Sequence, residues 1–282
     1  MKRVAVVAVT AVVTAFVAGG GQAQAAAPED PVTAVQKQFA PGRGVRVSEA
    51  NRITVSGIKG VFLTRTSGVI GFGKSAAVDY DLTSKTTLTD EQKAALGLGE
   101  DYEPATLRAV KVGRATYVKG FEWGNMPEGK HWVRFSGSSA WNNDGQRGDQ
   151  RVDVLNPAIL KLVISKSTFA RAGEYRGTLS GKQLYKEKYG NSEVGKISFR
   201  LFVDRDRLPV RLITEYTLRT EVPKNGKLVK ATEHDIVDTR YSGWGAKVAI
   251  AAPPAGEVVD FDDLKWPSVD DNPISALIDA GR

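Results

Sequence analysis

The chain contains no cysteine and only two histidines in 282 residues. Without cysteine it can form no disulfide, no thiolate metal site and no thioether-linked lipid anchor. Two histidines leave little for a multi-histidine metal site, so we predict neither a metal nor a cofactor. Lys and Arg number 39 against 32 Asp and Glu, a formal excess of +7. Because this excess is modest and scattered, we predict no nucleic-acid partner.

The N-terminus has the pattern of a secretory signal. Lys2 and Arg3 precede the apolar run 4–17, and Ala23-Gln24-Ala25 is a small-x-small cleavage site. The run is shorter than the roughly 20 residues that span a bilayer. We predict that 1–25 is a signal peptide, 26–259 a folded domain and 260–282 an acidic tail in which Asn272-Pro273 is typical of a helix start. The protein is expected to be secreted or associated with the cell wall, without a transmembrane helix.

Most of the domain alternates apolar and polar residues with the period of two that is typical of β-strands. In the first such run, Val45, Val47, Ile53 and Val55 share one parity. Similar runs cover 61–73, 78–83, 107–112, 115–119, 131–136, 175–181, 195–204, 209–220 and 228–241. Glycine-bearing breaks between runs predict hairpins, and Asn225-Gly226 is a strong hairpin signal. A sheet of roughly ten strands must curl or close.

Three segments have helical signals instead. Asp30 with Pro31 predicts a helix start, and Thr89 with Gln92 fits a capping box. The segment 154–165 begins with Asn156-Pro157 and has almost no polar face, so something must cover it. The predicted fold class is α+β: a strongly curved antiparallel β-sheet (half-barrel) with two or three helices covering its concave face. The polar stretch 137–150 is predicted to be a surface loop.

Motifs that suggest catalysis have simpler structural interpretations, and we predict a protein that is not an enzyme. The segment Gly68–Ser75 matches a phosphate-loop expression, but strand alternation on both sides predicts a glycine-bearing hairpin. His234 and Asp235 are adjacent in a strand, so they point to opposite faces. Asp79 and Asp81 share a parity and predict a solvated strand face.

Aromatic residues are concentrated within one short part of the chain. This group includes Trp123, Trp132, Trp141, Phe121 and Phe135. Such rings can form core, stack on sugars or line an apolar ligand cavity. Stacking on sugars requires exposed tryptophan rings, whereas the other two roles bury them.

Several soft motifs together resemble the LppX/LprAFG family of bacterial envelope lipoproteins, which is related in shape to the carriers LolA and LolB. The resemblance rests on the following segments: 30–39, Gly129-Lys130-His131-Trp132-Val133, 156–164, Leu208-Pro209-Val210-Arg211, Tyr241-Ser242-Gly243-Trp244-Gly245 and Ala251-Ala252-Pro253-Pro254. It implies a half-barrel of antiparallel strands, an apolar cavity for the acyl chains of lipids or glycolipids, no cofactor and no catalytic residue. Family members often carry a lipobox cysteine, which this chain lacks.

We therefore expect an exported, non-catalytic carrier that holds lipid or glycolipid acyl chains in a hollow between the sheet and the helices. The expected lining residues are Val47, Ile53, Val55, Phe62, Ile70, Phe72, Trp132, Ile159, Leu160, Val163, Phe199, Leu201, Leu212 and Tyr216. Transient membrane contact is also expected, with Lys182, Lys186 and Lys188 as candidates to meet anionic headgroups. Two alternatives stay open: a cell-surface carbohydrate-binding module, and an envelope scaffold protein with a filled core. The sequence leaves the oligomeric state undetermined.

Overall fold

The structure is a computed structural model, and it describes residues 30–121, 123, 126–136, 148–185, 195–224 and 227–264. Several expectations fall outside these ranges: the signal peptide 1–25, most of the acidic tail, Trp141, the Asn225-Gly226 turn, Lys186 and Lys188. Among the described residues, no helix is long and apolar enough to cross a membrane.

One twelve-stranded sheet dominates the described residues. The strands are β1 Arg43–Val55, β2 Phe62–Phe72, β3 Ala77–Thr87, β4 Leu107–Val112, β5 Ala115–Lys119, β6 Trp132–Ser136, β7 Ser167–Arg171, β8 Glu174–Ser180, β9 Lys196–Val203, β10 Pro209–Lys224, β11 Lys227–Lys247 and β12 Val258–Asp260. Their spatial order is β12-β6-β5-β4-β3-β2-β1-β11-β10-β9-β8-β7. All neighbouring pairs are antiparallel except β12 with β6. The predicted antiparallel sheet is therefore confirmed, with β7 and β12 as strands that the alternation did not reveal, while its curvature stays a prediction.

Four α-helices accompany the sheet in the described part of the chain: α1 Pro31–Lys37, α2 Asp90–Ala95, α3 Pro157–Ser165 and α4 Gly181–Tyr185. The first three begin where their capping residues predict. The Asp30 carboxylate accepts the N–H groups of Val32 and Thr33, and the Asn156 side chain accepts the N–H of Ala158. Thr89 starts α2 with a complete capping box.

The register of the sheet defines two faces, and the inner face is the one that carries Val45 and Val47 of β1. Neighbouring strands place Ile70, Tyr80, Tyr241 and Leu212 on this face. These residues form one buried cluster, the main core, with residues of α1 and α3. The main core reaches from β3 to β8, which are separated by six strand spacings or about 29 Å.

A second, smaller core lies at the β12 side of the sheet. Val118, Trp123, Val133, Phe135 and Leu264 are buried there. The Trp123 and Phe135 ring centroids are 5.4 Å apart. Much of the aromatic concentration in the sequence is thus packed as core.

The segment Gly68–Ser75 is part of a hairpin, as predicted. Strand β2 ends at Phe72, and the Gly73 N–H donates to the Ala76 carbonyl at 2.8 Å before β3 begins. Gly68 lies where β2 and β3 approach closely, because a Cβ atom at this position would be 2.0 Å from the Asp81 carbonyl oxygen. The glycine is therefore required by the strand pairing.

Candidate functional site

The structure brings most of the predicted lining residues together. Nine of them belong to the main core: Val47, Ile70, Phe72, Leu160, Val163, Phe199, Leu201, Leu212 and Tyr216. Ile159 is half-buried and packs against this cluster. Ala34 and Val35 of α1, and Phe39 after the end of this helix, complete the same layer. The face expected to meet an apolar ligand is thus the face on which α1 and α3 lie.

The layer between the sheet and the helical side is tightly packed beside Leu155. Val47 and Ile70 on the sheet face Leu155, which precedes α3, and the space between them is about 10 Å³. That is room for about one water molecule. The hollow expected from the sequence is not present at this point, because Val154, Leu155 and Leu160 fill the interface.

Three of the four remaining predicted residues lie farther along the inner face. Ile53, Val55 and Phe62 share its parity and continue β1 and β2 away from α1. Phe62 is buried, whereas Ile53 and Val55 are half-buried. A row of polar residues separates them from the main core.

Trp132 does not lie with the other predicted lining residues. The strand register places Val118, Val133 and Phe135 of the second core on the inner face of the sheet. Trp132 alternates with Val133 and Phe135 in β6, so it is on the outer face. The Arg108 guanidinium and the Lys119 ammonium lie 5.6 and 5.8 Å from its ring centroid. Two cations thus lie over the ring.

A buried polar band crosses the middle of the inner face, and the sequence analysis missed it. We define it as Glu49, Asn51, Thr214, Asp235 and Thr239 of the sheet with Asp149 and Gln150 of the segment that leads to α3. Glu49, Asn51 and Asp235 are at most 3 % exposed. The signal was present, since Glu49 and Asn51 have the parity of Val47 and Ile53. The prediction of a surface loop over 137–150 is wrong for Gln150, because this residue is only 5 % exposed.

Hydrogen bonds connect the band to the segment before α3. The Asp149 N–H donates to Glu49 Oε1 at 2.7 Å, and Thr239 Oγ1 donates to Glu49 Oε2 at 2.8 Å. Gln150 Nε2 donates to Thr239 Oγ1 at 3.0 Å, and Thr214 Oγ1 donates to Gln150 Oε1 at 2.8 Å. Gly148 allows this approach, because a Cβ atom there would be 2.7 Å from Glu49 Oε1. The band therefore anchors the chain that leads to α3 on the sheet.

Burial raises the pKa of three carboxyl groups in and beside the band, those of Glu49, Asp149 and Glu233. It raises the pKa of Glu49 to about 7, against the hydrogen bonds from Thr239 and Asp149 that favour the carboxylate. Burial, and then the nearby Asp235, raise the pKa of Glu233 to about 7. Burial also raises the pKa of Asp149. Despite these acids, no group of three or more potential metal ligands is present among the described residues.

A groove opens beside α1, at the edge of the main core. Its volume is about 330 Å³, and its lining consists of Ala34, Lys37, Gln38, Arg205, Asp206, Arg207 and Leu208. Ala34 and Leu208 are members of the main core, and they are 4 % and 8 % exposed. The groove thus combines an apolar floor with a polar, mainly basic rim.

A larger groove of about 510 Å³ lies where β9 begins beside β10 and β11. Its lining includes His234, whose Nε2 is 2.9 Å from Glu215 Oε1. Asp235 lies on the inner face, so the prediction that His234 and Asp235 point to opposite faces is confirmed. The Asp79 and Asp81 carboxylates are also engaged: they accept the Gly113 N–H and the Arg108 guanidinium, respectively.

The carbohydrate-binding alternative required exposed tryptophan rings. Trp123 and Trp132 are each 5 % exposed, so neither offers a free ring face for a sugar. This expectation is wrong for these two residues, because Trp123 packs among aromatic rings of the second core and Trp132 lies under two cations.

Comparison with known proteins gives no family assignment. No protein-family model matches the chain, and no curated protein matches it. A LolA superfamily protein from Nitrosomonas europaea is similar in structure with 13% identity and a TM-score of 0.28, over 76% of this chain and 90% of that one. A DUF1329 family protein from Desulfovibrio piger has 13% identity and a TM-score of 0.28, over 76% and 92%. Scores this low do not establish a common fold, and the resemblance to the LppX/LprAFG family stays an expectation.

Proposed function

We propose that this chain is an exported, non-catalytic carrier that holds the acyl chains of a lipid or glycolipid between the inner face of the sheet and the helices. The observation that carries this proposal is the groove beside α1. Because its floor residues Ala34 and Leu208 are members of the main core, the groove opens directly onto the apolar layer. It is the point at which an acyl chain can enter that layer.

Entry requires movement of α1, since the layer behind the groove is packed. This helix has seven residues and is about 10 Å long. Ala34, Val35 and Phe39 hold this part of the chain to the sheet. Burial of about twenty methylenes would contribute about 16 kcal/mol, against which stand the cost of immobilising the ligand and the cost of displacing buried residues of α1 from the core.

The proposal is tested by titrating the full chain with a fluorescent fatty acid and by mass spectrometry of an organic extract of the purified protein. We expect saturable uptake and co-purified lipid. Ala34→Trp fills the groove and should weaken uptake, whereas Ala252→Trp, at an exposed position, should not. Absence of both saturable uptake and extractable lipid would show that the chain is not a lipid carrier.

The tight packing beside Leu155 favours a second candidate, a scaffold protein of the cell envelope whose core is permanently filled. It is supported by the space of about 10 Å³ between Val47, Ile70 and Leu155. The two candidates differ in the behaviour of α1. Hydrogen exchange of its amides should accelerate when fatty acid is added to a carrier, and should stay unchanged in a scaffold protein.

A further inference from the structure

The two ends of the sheet differ in charge. In an antiparallel sheet, successive turns leave at alternate ends. The turns β2–β3, β4–β5, β7–β8 and β9–β10 lie at the end where α1 leads into β1, which we call the α1 end. The loops β1–β2, β3–β4, β5–β6 and β8–β9 lie at the opposite end, which we call the α2 end because α2 belongs to the β3–β4 loop.

The described hairpin turns at the α1 end, and the ends of α1, β1 and β11 there, present exposed cations. These residues are Lys37, Arg43, Lys74, Arg114, Arg171, Arg205 and Lys247. The described hairpin turns at this end contain two acids, Asp204 and Asp206, and the Asp204 carboxylate accepts the Leu208 N–H. Two further exposed acids, Asp262 and Asp263, follow β12 at this end. The α2 end has a mixed character, with these exposed acids in its described loops: Asp90, Glu91, Glu100, Asp101, Glu103 and Glu128. Its described loops and strand ends also carry these exposed cations: Lys59, Lys85, Lys119, Lys166, Lys182 and Lys196. Among the described residues, the α1 end therefore has an excess of exposed basic groups, whereas the α2 end carries charges of both signs.

The groove beside α1 lies at this basic end. Its rim carries Lys37, Arg205 and Arg207, together with Asp206. Arg207 has a φ of +65°, a conformation that is uncommon for residues other than glycine. Hydrogen bonds from the Arg207 N–H to the Asp204 carbonyl and from the Asp204 N–H to the Leu208 carbonyl hold the turn in this form. The turn thus presents two guanidinium groups at the mouth of an apolar groove.

We propose that the α1 end docks on the surface of an anionic phospholipid bilayer, with a headgroup phosphate at the rim of the groove. Guanidinium groups bind phosphate oxygens through paired, charge-assisted hydrogen bonds. Basic residues are attracted to anionic leaflets within about one Debye length of the surface. The apolar floor at Ala34 and Leu208, and Val78, which is 41 % exposed beside the β2–β3 turn, suit a lipid surface better than a purely ionic polymer.

Only the purpose of docking rests on the proposed function: docking would place the entrance of the apolar layer against the membrane. It also assigns the docking surface to a particular end. Lys182, which the sequence analysis associated with headgroups, is in α4 between β8 and β9 and therefore lies at the α2 end. The two ends can be tested against each other.

The test compares two charge-reversal triples in the full chain. The α1-end triple is Lys74→Glu, Arg171→Glu and Arg205→Glu. The matched α2-end triple is Lys59→Glu, Lys85→Glu and Lys182→Glu. All six side chains are exposed, and both triples change the net charge equally. Co-flotation is measured with vesicles of phosphatidylcholine containing phosphatidylglycerol and with vesicles of phosphatidylcholine alone, and circular dichroism checks that each variant is folded.

We expect the unmodified chain to prefer the anionic vesicles and to lose this preference as salt is raised. The α1-end triple should lower the partition onto anionic vesicles on the order of a hundredfold, since each basic residue near the surface is worth roughly fivefold. The α2-end triple should lower it by less than about threefold, because its positions are held away from the bilayer. Equal losses in both triples, or no preference for anionic vesicles, would overturn the assignment.

Two further outcomes separate this inference from others. If inorganic polyphosphate displaces the unmodified chain from vesicles and binds it as tightly as the anionic vesicles do, the α1 end is a general polyanion surface. The membrane assignment is then wrong. Fatty-acid uptake is measured in the same variants. The unmodified chain could dock on vesicles and yet take up no fatty acid. If the α1-end triple then loses this docking, the docking surface is supported and the carrier is refuted.

Discussion

We expect Glu49 to make the free energy of unfolding depend on pH. Its side chain is buried in the polar band and accepts hydrogen bonds from the Asp149 N–H and the Thr239 hydroxyl. Burial raises its pKa from 4.5 to about 7 in the folded chain. A carboxyl group whose pKa is raised by folding binds its proton more tightly in the folded state, so its contribution to stability declines as the pH rises above the unfolded pKa.

The magnitude follows from the two pKa values. Between pH 5 and pH 8, ionisation of Glu49 should lower the free energy of unfolding by about 2.5 kcal/mol, since each pKa unit is worth about 1.4 kcal/mol. Glu233 acts in the same direction but is half-exposed, so solvent screening reduces its share. Glu49→Gln removes the titrating group and keeps a carbonyl oxygen for the Asp149 N–H.

The assay is urea unfolding of the unmodified chain and of Glu49→Gln at pH 5 and pH 8. The unmodified chain should lose about 2.5 kcal/mol more than the variant between these two values. Glu128→Gln, which changes an exposed carboxyl group, is the matched control and should follow the unmodified chain. If Glu49→Gln shows the same loss of stability with pH as the unmodified chain, burial does not hold a proton on Glu49 and the reasoning fails.

Three further changes test the packing. Leu160→Ala removes a fully buried side chain of α3 and should lower the free energy of unfolding by about 3 kcal/mol, whereas the same change at Leu228, which is 53 % exposed, should cost less than about 1 kcal/mol by chemical denaturation. Gly68→Ala places a Cβ atom 2.0 Å from the Asp81 carbonyl oxygen and should cost more than about 2 kcal/mol; a midpoint shift like that of a surface mutation would contradict the observed strand pairing. Asn156→Ala removes the cap of α3 and should cost about 1 kcal/mol, and Asn156→Asp should restore most of it.

Helix starts and strand alternation were predictable because they depend on local chemistry. Asn156-Pro157 is enough to start α3, since the side chain satisfies one free N–H group and proline lacks the next. Alternation placed Val45 and Val47 on the same face as Ile53 and Val55, which the register confirms.

The polar band and the position of Trp132 depended on pairing that the sequence does not show. Glu49 becomes a core residue only because Thr239 and Gln150, about a hundred or more residues away, supply its surroundings. Trp132 and Val133 are both apolar neighbours in one strand, so alternation could not decide which of them faces inward. The register with β5 decides it, since Val133 pairs with Val118 in the second core.

The two outermost strands of the sheet are among its shortest. Strand β12 has three residues and β7 has five, whereas β10 and β11 at the centre have 16 and 21. An open sheet exposes unpaired backbone groups at both margins, and long flat margins invite other chains to add on and form fibres. Here each margin offers only a few such groups, and the Arg176 guanidinium covers Phe169 on β7 at 4.8 Å. The wide sheet can therefore remain open without acting as a template for aggregation.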